Sequence, residues 1–298
     1  MNIGVIGLGN MGGRIAGRLI RRGHALSVCD VNPEAKEPFA LLGARVYDSP
    51  KDLAAADNAV IITVLPDAHI VRKVVLGEGG LIEGLQPDSG CVLIDMTTSV
   101  PSVTKELGMR LAERGTELLD APVSGGVAKA ETGELSIMVG GNAAVFERAL
   151  PLLRDIGTTV THVGELGAGH TIKALNNLLC ATTLGITAEA LAIGVKMGLD
   201  PHKMLQVINS SSGRSHSSEV KFPQQVLSRS FEVGFTIDLM KKDVEIALSL
   251  AASEQVPVPI AGAVADLWRQ AVEEGLGKMD HTAIARLVEQ QAGVEIKG

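Results

Sequence analysis

The sequence predicts an α/β protein: a doubly wound parallel sheet with helices on both faces, followed by an all-α domain joined to it by a long helix. Three observations carry this. Apolar, β-branched runs alternate with helical patterns up to about residue 163. Strand signals stop after Gly164. A glycine-rich turn, Gly7-Leu8-Gly9-Asn10-Met11-Gly12, stands between the first apolar run and the first helical pattern. A length of 298 residues suits two domains, divided here as 1–163 and 164–298.

The strand-like runs fall at 3–6, 26–29, 59–65, 91–94, 136–139 and 159–163, and helical patterns at 11–22, 100–114 and 143–154 separate most of them. Strands that alternate with helices pair in parallel through right-handed crossovers. Runs that are apolar throughout, rather than alternating, fit strands covered on both faces. Beyond Gly164, Gly167-Ala168-Gly169 opens a helical stretch that reaches about Met197 and is closed by Gly198, with Pro201 where the next helix begins. Helical patterns at 202–210, 238–254, 260–274 and 281–291 complete the all-helical second half.

The composition is that of a folded globular chain, 46% hydrophobic and 20% charged. A net charge of −7 with no dense run of Lys and Arg argues against nucleic acid or an anionic membrane as the main partner, while leaving room for small anions held by a few local cations and N–H groups. No uninterrupted apolar stretch approaches the ~18–20 residues that span a bilayer. The N-terminus runs directly into a strand, without a basic region or apolar signal core. Cys29, Cys91 and Cys180 are far apart and form no CxxC pair; Cys29 and Cys91 lie in apolar runs and read as buried free thiols, which fits a reducing cytoplasm. His24, His69, His162, His170, His202, His216 and His281 are scattered without metal-ligand spacing, so no metal site is expected.

In its strand–turn–helix context the glycine-rich turn has specific physics. Gly7 makes the tight turn, Gly9 lets a pyrophosphate approach the backbone, and Gly12 lets helix and strand pack closely, the fingerprint of a Rossmann domain. The helix N-terminus behind it offers free N–H groups and a positive dipole end. Asp30 ends the second strand 23 residues after Gly7, close to the ~20 at which a carboxylate meets the ribose hydroxyls of NAD. It would repel the 2′-phosphate of NADP, and the residues that follow, Val31 and Asn32, supply no Arg to accept one. NAD is therefore expected rather than NADP. On the long helix, Lys173 and Asn177 are spaced i, i+4 and share a face just after the Gly167/Gly169 pair. A lysine ammonium there can protonate a developing alkoxide, and in the reverse direction partial burial and a neighbouring positive charge lower its pKa. By spacing alone, such a pair is more often a solvated helix face.

These residues lie within a wider resemblance. Ile6-Gly7-Leu8-Gly9-Asn10-Met11-Gly12, Val64-Leu65-Pro66, Asp95-Met96-Thr97-Thr98, Asp120-Ala121-Pro122-Val123-Ser124-Gly125-Gly126, Gly167-Ala168-Gly169 with Lys173 and Asn177, and Leu239-Met240-Lys241-Lys242-Asp243 follow in the order seen in the β-hydroxyacid dehydrogenases. This group contains 3-hydroxyisobutyrate dehydrogenase and tartronate semialdehyde reductase, and the chain resembles it from end to end. The resemblance implies that Lys173 is the catalytic acid–base residue and Asn177 its substrate-orienting partner. It implies that Ser124, Gly125 and Gly126 bind the substrate carboxylate. Leu65, Pro66 and Thr98 would line the cofactor beside Gly7, Leu8, Gly9, Asn10, Met11, Gly12 and Asp30. Lys242 would reach the cofactor side, with Asp243 supporting it. The second domain would complete the substrate site and carry the contacts of a homodimer or homotetramer, for which its Ala- and Leu-rich helices provide faces.

The chain departs from the pattern near the substrate. Ser211-Ser212-Gly213-Arg214-Ser215-His216 resembles the 3-hydroxyisobutyrate dehydrogenase stretch, with His216 in place of a bulky tryptophan, whereas residues 135–141 and Asp280-His281-Thr282 are more similar to the tartronate semialdehyde reductases. His216 either shapes the substrate pocket or points to solvent. Two rival readings share the architecture. An imine reductase generally carries another residue where Lys173 stands. A non-enzymatic dinucleotide-binding member would be expected to have lost Lys173, Ser124 or the glycine-rich turn.

Overall fold

A computed structural model describes residues 1–87 and 89–298 and divides into two compact units, Met1–Lys173 and Ala174–Gly298. In the first, β1 (Asn2–Ile6), β2 (Ala25–Cys29), β3 (Arg45–Tyr47), β4 (Val60–Thr63), β5 (Val92–Asp95) and β6 (Glu117–Asp120) pair in parallel in the order β3-β2-β1-β4-β5-β6. That is the strand order of doubly wound dinucleotide-binding sheets. Neighbouring residues face opposite ways: Ile61, Leu93 and Leu118 enter one buried cluster, while Ile62, Ile94 and Leu119 enter the other. Both faces are covered, which is why these strands read as continuous apolar runs.

The sheet is not wholly parallel. After β6 come β7 (Val123–Ser124), β8 (Leu135–Gly140) and β9 (Gly157–Gly164); β8 runs antiparallel to β6 and β7 and parallel to β9. The reason is reach. Only Ala121 and Pro122 join β6 to β7, and the short helix Gly126–Thr132 lies between β7 and β8. A parallel crossover needs a dozen or more residues.

The second unit is helical throughout its described residues. The helix Ala168–Lys196 begins in the first unit and continues into the second. Pro201–Asn209, Ile237–Ser253, Pro259–Glu273 and Ile284–Ala292 follow it. Caps set their starts: Asp200 accepts from His202 N–H and Thr236 from Leu239 N–H. Ser217–Leu227, which carried no helical signal in the sequence, is a π-helical segment with Pro223 inside it; a proline without an N–H favours such wider turns. Leu184, Leu191, Phe222, Met240, Val244, Trp268 and Ile284 form one buried core.

The long helix holds no uninterrupted apolar stretch of bilayer length, yet by overall length and composition Ala168–Lys196 is apolar enough to cross a membrane. Leu184, Ala188 and Leu191 bury one side of it in the helical core, and a core helix passes the same test.

Candidate functional site

The loops that follow β1 and β4 meet where the strand order reverses, the position at which open α/β sheets bind ligands. Gly7 has φ +94° and a Cβ there would lie 2.3 Å from the carbonyl oxygen of Val64, so the two loops touch backbone to backbone. A Cβ at Gly12 would lie 2.0 Å from the carbonyl oxygen of Gly7, which fixes the close packing of turn and helix. Gly9, in contrast, has open space within 4 Å. Two glycines are therefore filled by protein and the middle one is left open for a ligand, the cradle a dinucleotide pyrophosphate fits. The helix Asn10–Arg21 starts there with no side-chain cap, so its first N–H groups point into that space.

Asp30 stands immediately after β2. Leu8 N–H donates to its Oδ2 at 2.6 Å and Asn32 N–H to its Oδ1 at 2.8 Å. The carboxylate thus ties the glycine-rich turn to the end of β2, and each oxygen keeps a further lone pair for a ribose hydroxyl. Behind the turn, Leu65 N–H donates to Thr97 Oγ1 at 3.0 Å. Asp95 Oδ1 in turn accepts from Thr63 Oγ1 at 2.9 Å and Thr97 N–H at 3.1 Å. Burial pushes the Asp95 carboxyl above the usual carboxylate range, against the pull of His170 and the threonines. Thr98 follows, half-buried, and Pro66 is exposed beside Leu65.

Ser124 ends β7, half-buried, and Gly125 and Gly126 follow it exposed, at φ +132° and +74°. Both positions are glycines, the residue type that adopts positive φ without a Cβ penalty. Lys173 and Asn177 lie one turn apart on the long helix and are 7% and 5% exposed. This rules out the solvated-face reading of their spacing.

In the second unit Asn177 Nδ2 donates to Asp243 Oδ2 at 2.5 Å, and Lys242 Nζ lies 3.5 Å from Asp243 Oδ1. Asp243 thus supports Asn177 as well as Lys242, the partner expected for it from the sequence. His216 is exposed at the head of the π-helical segment, next to a network in which Ser218 donates to Asn209 Oδ1 at 2.7 Å.

Sequence reasoning missed three polar groups. Asp120, fully buried at the end of β6, accepts from Gly167 and His170 N–H, each at 2.7 Å. His170, also fully buried, lies with Nδ1 2.7 Å from Thr104 Oγ1. The third is Asp280 with His281. Burial alone would lower the His281 pKa, but its hydrogen bond to Asp280 prevails and holds it at about 9; Asp280 is driven well below the usual range by His281, Thr282 and Gly234, again against burial. An aspartate closing an apolar run was the available signal for Asp95 and Asp120; nothing local marks His170. Cys29 and Cys91 are free and buried, and burial pushes both thiols up to about 11. No His/Cys/Asp/Glu group suited to a metal occurs among the described residues.

The first unit is thus a dinucleotide-binding domain by strand order, cradle and strand-end carboxylate. Residues 2–164 match the family model described as the NAD-binding domain of 6-phosphogluconate dehydrogenase. Residues 167–288 match the one described as NAD-binding of NADP-dependent 3-hydroxyisobutyrate dehydrogenase. A 2-(hydroxymethyl)glutarate dehydrogenase of Eubacterium barkeri is 38% identical over 100% of this chain and 98% of its own. A 3-hydroxyisobutyrate dehydrogenase of Pseudomonas aeruginosa is 37% identical, over 96% of this chain and 98% of its own. Among solved structures, a Mycobacterium tuberculosis 3-hydroxyisobutyrate dehydrogenase with L-serine superposes with TM-score 0.88 at 29% identity, over 96% of this chain and 98% of that one. The chain belongs to the β-hydroxyacid dehydrogenase family and is an NAD(P)-dependent oxidoreductase acting on CH–OH groups.

Proposed function

We propose that this enzyme interconverts a short β-hydroxy acid and its semialdehyde, using NAD, with Lys173 as the acid–base residue. The observation that carries the reading is the buried Lys173–Asn177 pair on one helix turn, with Asn177 aimed by Asp243. A nicotinamide cofactor held by Gly7, Leu8, Gly9, Asn10, Met11, Gly12 and Asp30 would supply hydride chemistry at the carbon bearing the hydroxyl. In oxidation, neutral Lys173 takes the hydroxyl proton as the carbonyl forms; in reduction, its ammonium returns that proton to the alkoxide. Asn177 holds the reacting oxygen, while Ser124, Gly125 and Gly126 hold the carboxylate. Leu65, Pro66 and Thr98 line the cofactor, Lys242 is a further cofactor-binding residue, and His216 faces the α-substituent. Asp30 selects NAD, since a 2′-phosphate would meet like charge.

On this reading residues 1–163 serve the nucleotide and 164–298 the substrate and self-association in the cytoplasm. Support for a homodimer or homotetramer comes from Leu179, Ile186 and Ile193, exposed to 66%, 57% and 64% at seven-residue steps on one helix. Such spacing makes a seam for another helix. The substrate reading is tested by a panel of C3–C4 hydroxy acids, semialdehydes and a cyclic imine with NAD(H) and NADP(H), following the absorbance of reduced nicotinamide. We expect turnover of the hydroxy acid–semialdehyde pairs, higher kcat/KM with NAD and none with the imine; the reverse pattern would refute it.

A further inference from the structure

We propose that Asp120 and His170 are positioning residues for Lys173: a buried polar anchor that fixes the rotation of the first turn of the long helix and through it the aim of the lysine. This rests on the acid–base role of Lys173 argued above.

Asp120 closes β6 and divides its carboxylate between two backbone donors, Oδ1 accepting from Gly167 and Oδ2 from His170, each at 2.7 Å. These N–H groups belong to the turn from which Ala168–Lys196 springs, where a helix leaves donors unsatisfied and its dipole favours negative charge. Two donors on opposite oxygens fix direction and rotation together, because turning the helix about its axis would lift one N–H off its acceptor. Two glycines make room for this. A Cβ on Gly140 would lie 2.4 Å from Asp120 Oδ1, and one on Gly169 would lie 2.9 Å from Oδ2 and 2.7 Å from the Asp120 carbonyl oxygen. The carboxylate has space only because β8 and the helix each present a bare backbone to it.

His170 locks the same turn from its other side. Its ring lies between two buried carboxylates, with Nδ1 3.8 Å from Asp120 Oδ2 and Nε2 3.8 Å from Asp95 Oδ2, and Thr104 Oγ1 is 2.7 Å from Nδ1. Asp95 reaches on through Thr97 to the N–H of Leu65. A row of buried polar groups, in contact but not hydrogen-bonded where His170 Nε2 meets Asp95, therefore runs from the loop after β4 to the helix bearing Lys173, three residues beyond His170. Asp95, Thr104, Asp120 and His170 are all at most 1% exposed, so their influence passes through the groups they hold. Proton transfer is unforgiving of misplacement, a shift of about 1 Å costing on the order of 10²-fold.

The test is a double-mutant cycle on the full chain, read as the single-turnover rate of hydride transfer per NADH-binding site. Asp120→Asn keeps the shape but turns one acceptor into a donor facing an N–H. We expect it to slow hydride transfer roughly 10–100-fold while NADH affinity, by fluorescence titration, and substrate KM stay within about threefold of wild type. His170→Gln should give the same pattern more weakly. In a Lys173→Ala background, either substitution should change the residual rate by less than about twofold, because its effect passes through the lysine. Wild-type hydride transfer in Asp120→Asn, or an equal slowing with and without Lys173, would overturn the proposal. If Asp120→Asn fails to fold, shown by lost NADH binding, His170→Gln takes its place in the cycle and the same two results decide. Near-normal turnover by Lys173→Ala alone would instead sink the acid–base reading, an outcome visible in its own arm.

Discussion

The two units hold their buried polar groups in different ways. In the nucleotide unit, carboxylates at strand ends clamp backbone: Asp30 takes Leu8 and Asn32 N–H, Asp95 takes Thr97 N–H, and Asp120 takes Gly167 and His170 N–H. In the helical unit side chains hold side chains, as Asp243 holds Asn177 and Glu289 holds Arg229. The difference follows from where backbone donors are free. A parallel sheet delivers its chain into loops and helix starts at one edge, and the unsatisfied N–H groups there attract the carboxylate next in sequence. Helix interiors satisfy their own backbone, so aiming a functional group requires a partner side chain from another helix. Asp280 and Glu289 are the instructive exceptions: Asp280 takes Gly234, Phe235 and Thr282 N–H in a stretch between helices, and Glu289 takes Ile296 N–H as well as Arg229.

The sharpest break of this comparison is at Lys173, on the helix that begins in one unit and continues into the other. Lys173→Ala should lower kcat by roughly 10²–10⁴, the worth of a positioned acid–base group, with NADH affinity retained. Steady-state kinetics beside a binding titration checks both halves.

The exception at Asp280 predicts a pH dependence. His281 is raised from 6.5 to about 9, so its contribution to stability is complete below pH 6.5 and is lost as pH rises through about 9. The lowered Asp280 acts oppositely, contributing above its ordinary range and losing that on acidification. For a mostly buried pair the alkaline loss is on the order of 3 kcal/mol. Urea midpoints should fall between pH 6.5 and 9.5 in wild type and stay flatter in His281→Gln; parallel curves would show that the pair does not govern this range.

Side-chain pairing in the helical unit is tested at Asp243. Asp243→Ala leaves the buried Asn177 amide without its acceptor, which should cost about 1–3 kcal/mol of stability and lower kcat/KM roughly tenfold. Asp243→Asn, which restores an acceptor oxygen, should recover part of both. Backbone clamping in the nucleotide unit is tested at Asp30. Asp30→Ser with Val31→Arg removes the repulsion and supplies a partner for a 2′-phosphate, shifting the NADP/NAD ratio of kcat/KM by roughly tenfold. The shift should come with weaker binding of both nucleotides, because Leu8 N–H loses its acceptor. A wild-type preference for NADP would show that Asp30 serves the turn alone.

The same contrast explains what could be read from the residues. The β1 turn and the strands β1, β2, β4 and β5 were legible as a strand–turn–helix unit and as apolar runs, whereas β3 and β6, at three and four residues, were not among the runs read as strands. The antiparallel pairing of β7 with β8 was not, since β7, at two residues, is too short to carry a pattern and direction depends on the connection rather than on the strand. Asp120 was visible as a residue but not as an anchor, because the donors it takes come 47 and 50 positions later. Asn177 was singled out by the family resemblance rather than by its spacing from Lys173, and Asp243, 66 positions away, announced itself as a neighbour of Lys242. The long helix was legible in full: alanines and leucines that serve a core on one side and exposed positions on the other make it apolar all round.

The smallest effect is expected at His216. It stands exposed at the head of the π-helical segment Ser217–Leu227. The tryptophan expected there from the family pattern would supply a large apolar wall; an imidazole offers less contact area and both a donor and an acceptor. A substrate with a polar α-substituent, such as tartronate semialdehyde on reduction to glycerate, should then compete well with the methyl-bearing 3-hydroxyisobutyrate pair. His216→Trp should raise kcat/KM for the methyl substrate relative to the hydroxyl one by about 3–10-fold, below the ~10–200-fold that a closed apolar pocket gives for a methyl-sized change because position 216 is exposed. The absolute kcat on either should move less, because the ring contacts a substituent and not the reacting carbon. A ratio that stays put would place His216 in solvent and assign the choice of substituent to other side chains.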